Sequence, residues 1–427
     1  MRTLIVGLNY APEKVGIGPY TTGVAEALVA AGHQVEVVTA KPYYPAWAVA
    51  PGYGRGWRHE TANGVRLRRC PIYVPRRPGG LKRILHHLSF AASALGPALA
   101  AARRRPAVVL AVAPSLFSVP VAWLAARLSG ARLWVHVQDF EVEAAFATRL
   151  ARGRWVKRIA LALEDRLLGS ADLVSTISPQ MAARLVSKGV PAARVRELRN
   201  WAEDGWTSRD GGAAYRAEWG IGNRHVALYA GNIAAKQGIG LLIDAARLLA
   251  DRDEIMFVIC GEGPNRAALA AQAADLQNVQ LHPLQPAERM GDLLALASVH
   301  LLPQLPDAAD LVLPSKLANM LGSGRPVIAT AAPRTGLYGE VAGCGIATAP
   351  GDASALAQAL AALADDAPRR AALGEAAAAR AQERWRQPAL LARFVAAAEA
   401  LAAPDRLRGA RGGDSPVAGE DEGRAAT

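Results

Sequence analysis

"NYAPEKVGIGPYTTGVAEAL", residues 9–28, follows a short apolar run at the start of the chain and carries Gly16, Gly18 and Pro19 ahead of a helical pattern. A dinucleotide-binding fold would place Gly-x-Gly-x-x-Gly directly after this first strand and an acidic residue at the end of the second. Here Thr21 holds the third glycine position, and "NYAPEKV" delays the loop. The second strand runs into "VVTAKPYYP", with Lys41 where a ribose-binding acid would stand. The nicotinamide reading fails on each count. What remains is a glycine turn entering a helix N-terminus, where bare N–H groups and the helix dipole favour an anion such as phosphate.

Outward from this stretch, strands and helices alternate. The first half predicts strands at "TLIVGLN", "QVEVVTA", "VRLRRCPI", "AVVLAVA", "RLWVHVQ", "LVSTIS" and "VRELRN". The second half predicts them at "HVALYAG", "IMFVICG", "VQLHPL", "VHLLPQ", "PVIATA" and "GIATA". Continuous apolar strands separated by Ala/Leu/Arg-rich helices imply parallel sheets covered on both faces. Periodicity breaks at "NWAEDGWTSRDGGAAYRAEWGIGNRH". The chain therefore reads as α/β, with two doubly wound, Rossmann-like domains facing each other across a cleft. The first covers residues 1–199, a linker 200–224, and the second domain 225–385. Residues 403–427 lack apolar mass and read as a disordered tail.

The 427 residues suffice for two cores, and the net charge of +12 points to anionic partners. Cys70, Cys260 and Cys344 are far apart and in no paired spacing, which argues against a disulfide scaffold or zinc site and suits a reducing cytoplasm. Residues 107–126 are uncharged and long enough to span a bilayer, but Pro114, Ser115, Ser118 and Pro120 favour a strand, a turn and a helix. Upstream, 76–105 places basic ends around a long apolar run. It reads either as a helix packed on the sheet or as a surface resting on anionic lipid. A nucleic-acid role would need a basic patch interleaved with aromatics, whereas the arginines here are scattered along helices.

Ligands of open parallel sheets bind beyond the carboxyl ends of the strands. In the second domain these loops carry Asn232 and Lys236 in "AGNIAAKQG", then Gly261, Glu262 and Gly263 in "CGEGPN". They end with Ser315 and Lys316 in the first turn of a helix after Pro314. A lysine there opposes the helix dipole and is best tolerated beside a bound anion. In the first domain His136 and Asp139 fall at and just beyond a strand end, expected to face the cleft. A histidine so placed serves either the core or the chemistry.

Together "GIGPYTTGVAEALVAAGHQVEVVT", "YAGNIAAKQG", "GEGPNRAAL" and "PSKLANMLGSGRPVIA" resemble the family 4 glycosyltransferases, which have the two-domain GT-B fold. The likeness runs to about residue 402, and "KPYYPAW", "HVQDFEVEA" and "RNW" look closest to the colanic acid (exopolysaccharide) fucosyltransferase branch. The resemblance implies retaining transfer of a sugar, fucose in that branch, from a nucleoside diphosphate of GDP or UDP type. The acceptor it implies is a hydroxyl on an undecaprenyl-diphosphate-linked saccharide, met by a cytoplasmic enzyme at the inner face of the membrane. No metal or other cofactor is implied, because basic side chains and helix N-termini stabilise the leaving diphosphate. The one Asp-x-Asp, Asp251–Asp253, lies in a polar helix-end loop.

By the same resemblance Gly16, Gly18, Asn232, Lys236, Gly261, Glu262, Gly263, Ser315, Lys316, Leu317 and Asn319 are donor-binding residues. His136, Asp139, Asp310 and Lys316 are the catalytic candidates, and residues 386–402 form a helix returning to the first domain. The chain departs from the family at its paired glutamates, separated by seven residues. Counting back from Gly324, these fall on Leu311 and Asn319, with Asp310 the nearest acid to the first. Two other functions fit the architecture: a nucleotide-sugar epimerase, and a non-catalytic nucleotide-sugar-binding protein.

Overall fold

The computed structural model describes residues 1–14, 16–76, 79–113, 116–140, 154–202, 210–234, 237–305 and 313–403. Eight strands build the first sheet: β1 (Arg2–Gly7), β2 (Gln34–Ala40), β3 (Arg58–Ala62), β4 (Val65–Cys70), β5 (Val108–Ala113), β6 (Arg132–Val137), β7 (Leu173–Thr176) and β8 (Val195–Glu197). Six build the second: β9 (His225–Ala230), β10 (Ile255–Cys260), β11 (Val279–His282), β12 (Val299–Leu302), β13 (Val327–Thr330) and β14 (Gly345–Thr348). The orders are β3-β4-β2-β1-β5-β6-β7-β8 and β11-β10-β9-β12-β13-β14. All pairings are parallel except β3 with β4.

Each central strand is apolar on both faces because each face is covered. In β1, Leu4 and Val6 join Val109 and Ala111 of β5 in one core, beneath the helices Gly80–Ala102 and Ser118–Ser129. Ile5 turns the other way, to a core shared by Val108, Leu110, Val112, Trp134 and the helices Gly18–Ala30 and Gln387–Ala402. The period of two thus splits one run of sequence between two cores. Residues 107–126 resolve into β5 and the start of helix Ser118–Ser129, with Pro114 and Ser115 outside the described residues. All three cysteines are buried and unpaired.

β3 had no counterpart among the expected strands. Its sequence, RHETA, is polar and largely exposed, as an edge strand permits. Asn63 and Gly64, with φ of +49° and +78°, make the two-residue turn that pairs it with β4.

Helix Ala367–Arg384 stops at Trp385, and helix Gln387–Ala402, with Pro388 in its first turn, lies against the first sheet. Leu390, Phe394 and Ala398 enter that core, while Glu399 meets His33 at 2.9 Å and Arg393 Nη2 donates to the Glu197 carbonyl at 2.8 Å. Helix Gly80–Ala102 is long and apolar enough to cross a membrane, and among the described residues it alone is. One face packs inward through His86, His87, Phe90, Ala94 and Ala98. Another leaves Leu81, Ile84, Leu85 and Leu88 exposed beside exposed Lys82 and Arg83, at the spacing of a single helical stripe. Both sequence readings of this stretch therefore have a face on the helix.

Candidate active site

In the second domain the loops leaving β9 and β10 continue the parallel ladder for three residues. Gly231 N–H donates to Cys260 O (2.9 Å) and Ile233 N–H to Glu262 O (2.9 Å). This pairing demands glycine. A Cβ on Gly261 would lie 1.9 Å from the Gly231 carbonyl oxygen, and one on Gly263 would lie 2.2 Å from that of Ile233. Asn232 rides exposed on this platform, its backbone carbonyl held by the Tyr229 hydroxyl at 2.7 Å. Glu262 is exposed and turned toward Arg266 of the following helix, 3.6 Å away.

The loop after β12 brings the cation. Helix Lys316–Gly322 has Ser315 at its N-cap, in helical backbone geometry and with no side-chain cap bond. Lys316 reaches back across the sheet to lay its Nζ 3.8 Å from the centroid of the Tyr229 ring. The same ammonium lies 3.1 Å from where a Cβ on Gly231 would stand, so it sits against the exit of β9. Although the residue as a whole is only partly buried, burial of its ammonium lowers the pKa to about 7. Among the described residues no carboxylate pairs with it. Asn319, one turn on, is half-buried, and Ser315 is exposed. Leu317 is a correction to its expected place: its side chain is fully buried among Leu302, Met320 and Val327, so only its backbone is left to meet a ligand.

The first domain offers the turn that opened the sequence. Gly16 has φ +73°, and helix Gly18–Ala30 begins without a side-chain cap or an acidic residue in its first turn. Its leading N–H groups are therefore open to an anion. Lys14, just before the turn, pairs at 2.9 Å with Glu288 of the second domain.

His136 does not face a cleft. It is 3% exposed, with Nδ1 2.8 Å from Ser175 Oγ and Nε2 receiving a bond from the Gln138 amide at 3.0 Å. Phe394 covers it edge-on, with ring centroids 5.2 Å apart. Burial lowers its pKa to about 3, so the ring is neutral. The reason is parity: Trp134 and His136 alternate onto the face that receives helix Gln387–Ala402, whereas only residues past the strand end reach the carboxyl edge. Asp139 does lie past that end, half-buried. Asp251 and Asp253 sit in the turn entering β10, at the amino edge of the sheet and away from these loops. Lys236 and Asp310 lie outside the described residues.

The sequence reading missed the groups that join the halves. Glu340, 5% exposed, accepts from Arg199 Nη1 at 2.7 Å and from Arg384 Nη1 at 3.0 Å. The Arg199 guanidinium also stacks 5.3 Å from the Trp385 ring centroid and pairs with Glu197. Arg199 and Glu340 are separated by 141 positions, beyond any local pattern.

Residues 15–201 match the glycosyl transferase 4-like domain and residues 224–366 the glycosyl transferases group 1 domain. The chain is 42% identical over 347 residues to a protein of Escherichia coli (strain K12) whose name assigns it to colanic acid biosynthesis as glycosyl transferase WcaI, covering 79% of this chain and 85% of that one. Among solved structures it resembles sucrose-phosphate synthase from Thermosynechococcus elongatus, with a TM-score of 0.74, 19% identity and coverage of 94% and 99% of the two chains. It also resembles Anabaena HepE in complex with UDP-glucose, with a TM-score of 0.68, 16% identity and coverage of 93% and 99%. Two sheets of this topology, the two matched domains and the extended identity with the E. coli protein lead to one conclusion: the chain belongs to the family 4 glycosyltransferases, on the GT-B fold.

Proposed function

We propose that this glycosyltransferase moves a sugar from a nucleoside diphosphate to a hydroxyl of a lipid-diphosphate-linked glycan, with retention of configuration, in exopolysaccharide assembly. The observation that carries the donor half is the buried Lys316 ammonium against the exit of β9, paired with no carboxylate among the described residues. As the anomeric C–O bond breaks, negative charge gathers on the departing diphosphate while the acceptor oxygen takes the sugar and gives up its proton. Lys316 from the second domain and the N–H groups of the Gly16–Gly18 turn from the first would stabilise that charge. Lys236 and Asn232 would add to the same pocket, and these groups together would make a divalent metal unnecessary.

Asn319 would bind the ribose through its amide, where the family pattern has a glutamate. Asp139 would orient the acceptor hydroxyl, and Asp310 would stand toward the donor sugar. Relatives support a nucleotide-sugar donor. The E. coli protein's name supports the exopolysaccharide role, its branch points to GDP-fucose, and HepE binds UDP-glucose. The exposed stripe Leu81–Leu88 with Lys82 and Arg83 supports peripheral contact at the cytoplasmic face of the membrane.

The test is product analysis with UDP-glucose and GDP-fucose, with and without a polyprenyl-diphosphate saccharide and without added metal. Release of nucleoside diphosphate with a glycosylated acceptor is the expected result, lost in Lys316→Ala and reduced in Asn232→Ala. Full transfer by both variants would sink the donor-site assignment. Interconversion of free nucleotide sugars without acceptor would show an epimerase, and binding without turnover a non-catalytic protein.

A further inference from the structure

One carboxylate holds the opening loop from behind. Glu13 is 6% exposed, and its Oε1 accepts the N–H groups of Tyr43 (2.8 Å) and Tyr44 (2.9 Å). Its Oε2 accepts from Asn9 Nδ2 at 2.8 Å. Asn9 leaves β1, while Tyr43 and Tyr44 follow β2, so a single side chain ties the exits of two adjacent strands. The packing extends to both glycines of the turn. A Cβ on Gly18 would stand 3.0 Å from the Glu13 carbonyl oxygen, and one on Gly16 would stand 3.2 Å from the Tyr44 ring. On the far side Arg69 Nη2 donates to the Ala11 carbonyl at 2.6 Å, which holds the strand exit just ahead of Glu13.

Among the described residues Glu13 has no ion-pair partner. Burial raises its pKa, opposed by the bonds from Tyr43, Tyr44 and Asn9. The nearest countercharge, Arg69, also lowers the pKa but makes no ion pair with Glu13, and a carboxylate buried so is costly where apolar packing would serve bare stability better. What the carboxylate supplies instead is geometry, since two parallel backbone donors and an amide fix it from three directions.

We propose that Glu13 is a positioning residue that sets the Gly16–Gly18 turn at the spacing where its N–H groups meet the donor diphosphate. By the same bonds it joins that turn and the Tyr43–Tyr44 segment into one body. This rests on the donor-site reading above and adds to it a residue that touches neither substrate.

The experiment compares wild type, Glu13→Ala, Glu13→Gln, Asn9→Ala and Lys316→Ala. UDP and GDP affinities are measured by calorimetry well below each melting temperature, with KM for donor and acceptor alongside. Glu13→Ala is expected to weaken nucleoside-diphosphate binding about tenfold, the equivalent of one good buried hydrogen bond to a charged group. Its donor KM should rise in step. Glu13→Gln, whose amide oxygen still accepts both backbone N–H groups, should recover most of the loss, whereas Lys316→Ala should weaken nucleoside-diphosphate binding and lose transfer. A folded Glu13→Ala protein that binds as wild type does, only with a lower melting temperature, overturns the proposal.

Should Glu13→Ala fail to fold, Asn9→Ala removes one of the three bonds and should weaken binding about threefold. Unchanged affinity there overturns the proposal equally. The donor-site reading fails separately, if Lys316→Ala binds nucleotide as tightly as wild type while the Glu13 variants do not.

Discussion

On the proposed reading, Lys316 makes donor binding a proton-linked event. Its ammonium titrates at about 7 in the free protein, and a diphosphate against it would restore a pKa near the ordinary lysine value. Binding is then strongest where the free protein is already protonated and weakens as pH rises past 7. At pH 8.5 the free ammonium is about 3% protonated, so the dissociation constant should rise about 30-fold from its value at pH 6, or about 2 kcal/mol. A nucleotide sugar is the right ligand for the assay, because its diphosphate has no proton to lose in this interval. Calorimetry in buffers of different ionisation enthalpy should show nearly one proton taken up per donor bound at pH 8.5 and almost none at pH 6.

Lys316→Met should abolish this slope and bind at every pH more weakly than wild type does at pH 8.5, because bound Lys316 keeps its proton there. Its stability should shift in the opposite sense. The folded pKa lies below the unfolded one, so the cost of burying the charge is complete below pH 7 and fades as pH rises toward 10.5. Lys316→Met should therefore melt above wild type at pH 6, with the gap closing by pH 10. Parallel pH profiles of donor affinity for wild type and Lys316→Met would refute the reasoning.

Three further outcomes are expected. His136→Ala should cost about 3 kcal/mol in urea unfolding, because Ser175 and Gln138 lose their partner under Phe394. Its turnover per folded molecule should match wild type, and a selective loss of turnover would return His136 to the chemistry. Glu340→Ala should destabilise by about 3 kcal/mol, since two arginines lose a buried carboxylate, and a change within experimental error would show that the pairs are ornamental. Gly261→Ala should abolish nucleotide binding in any protein that folds, because its Cβ would collide with the Gly231 carbonyl, whereas Gly339→Ala, in open space within a helix, should raise stability by about 0.5–1 kcal/mol. Nucleotide titration of the first and the melting temperature of the second decide it.

Strands with both faces buried announce themselves as apolar runs, which is why the sheets were legible without coordinates. β3 was not, because an edge strand needs no apolar residues; its one signal was the Asn63–Gly64 turn. Lys316 stood out because a cation in the first turn of a helix is electrostatically odd. Leu317, its neighbour, was swept in by the motif, and only the helix phase shows that its side chain points to the core. His136 erred for a similar reason, since position along a strand is visible in sequence but parity against a distant helix is not. Glu13 carries no pattern at all, as its partners belong to another loop and its burial is a tertiary fact.

The return of helix Gln387–Ala402 to the first sheet has a consequence for how the protein is made. Leu390, Phe394 and Ala398 fill one face of the first domain, yet they leave the ribosome after the whole of the second. Until then Trp134 and Trp201 lack their cover, and the earlier-made half waits with an open apolar face while the later half folds. Emergence of this helix, rather than completion of either sheet, is therefore the step that closes the first domain's apolar face during synthesis.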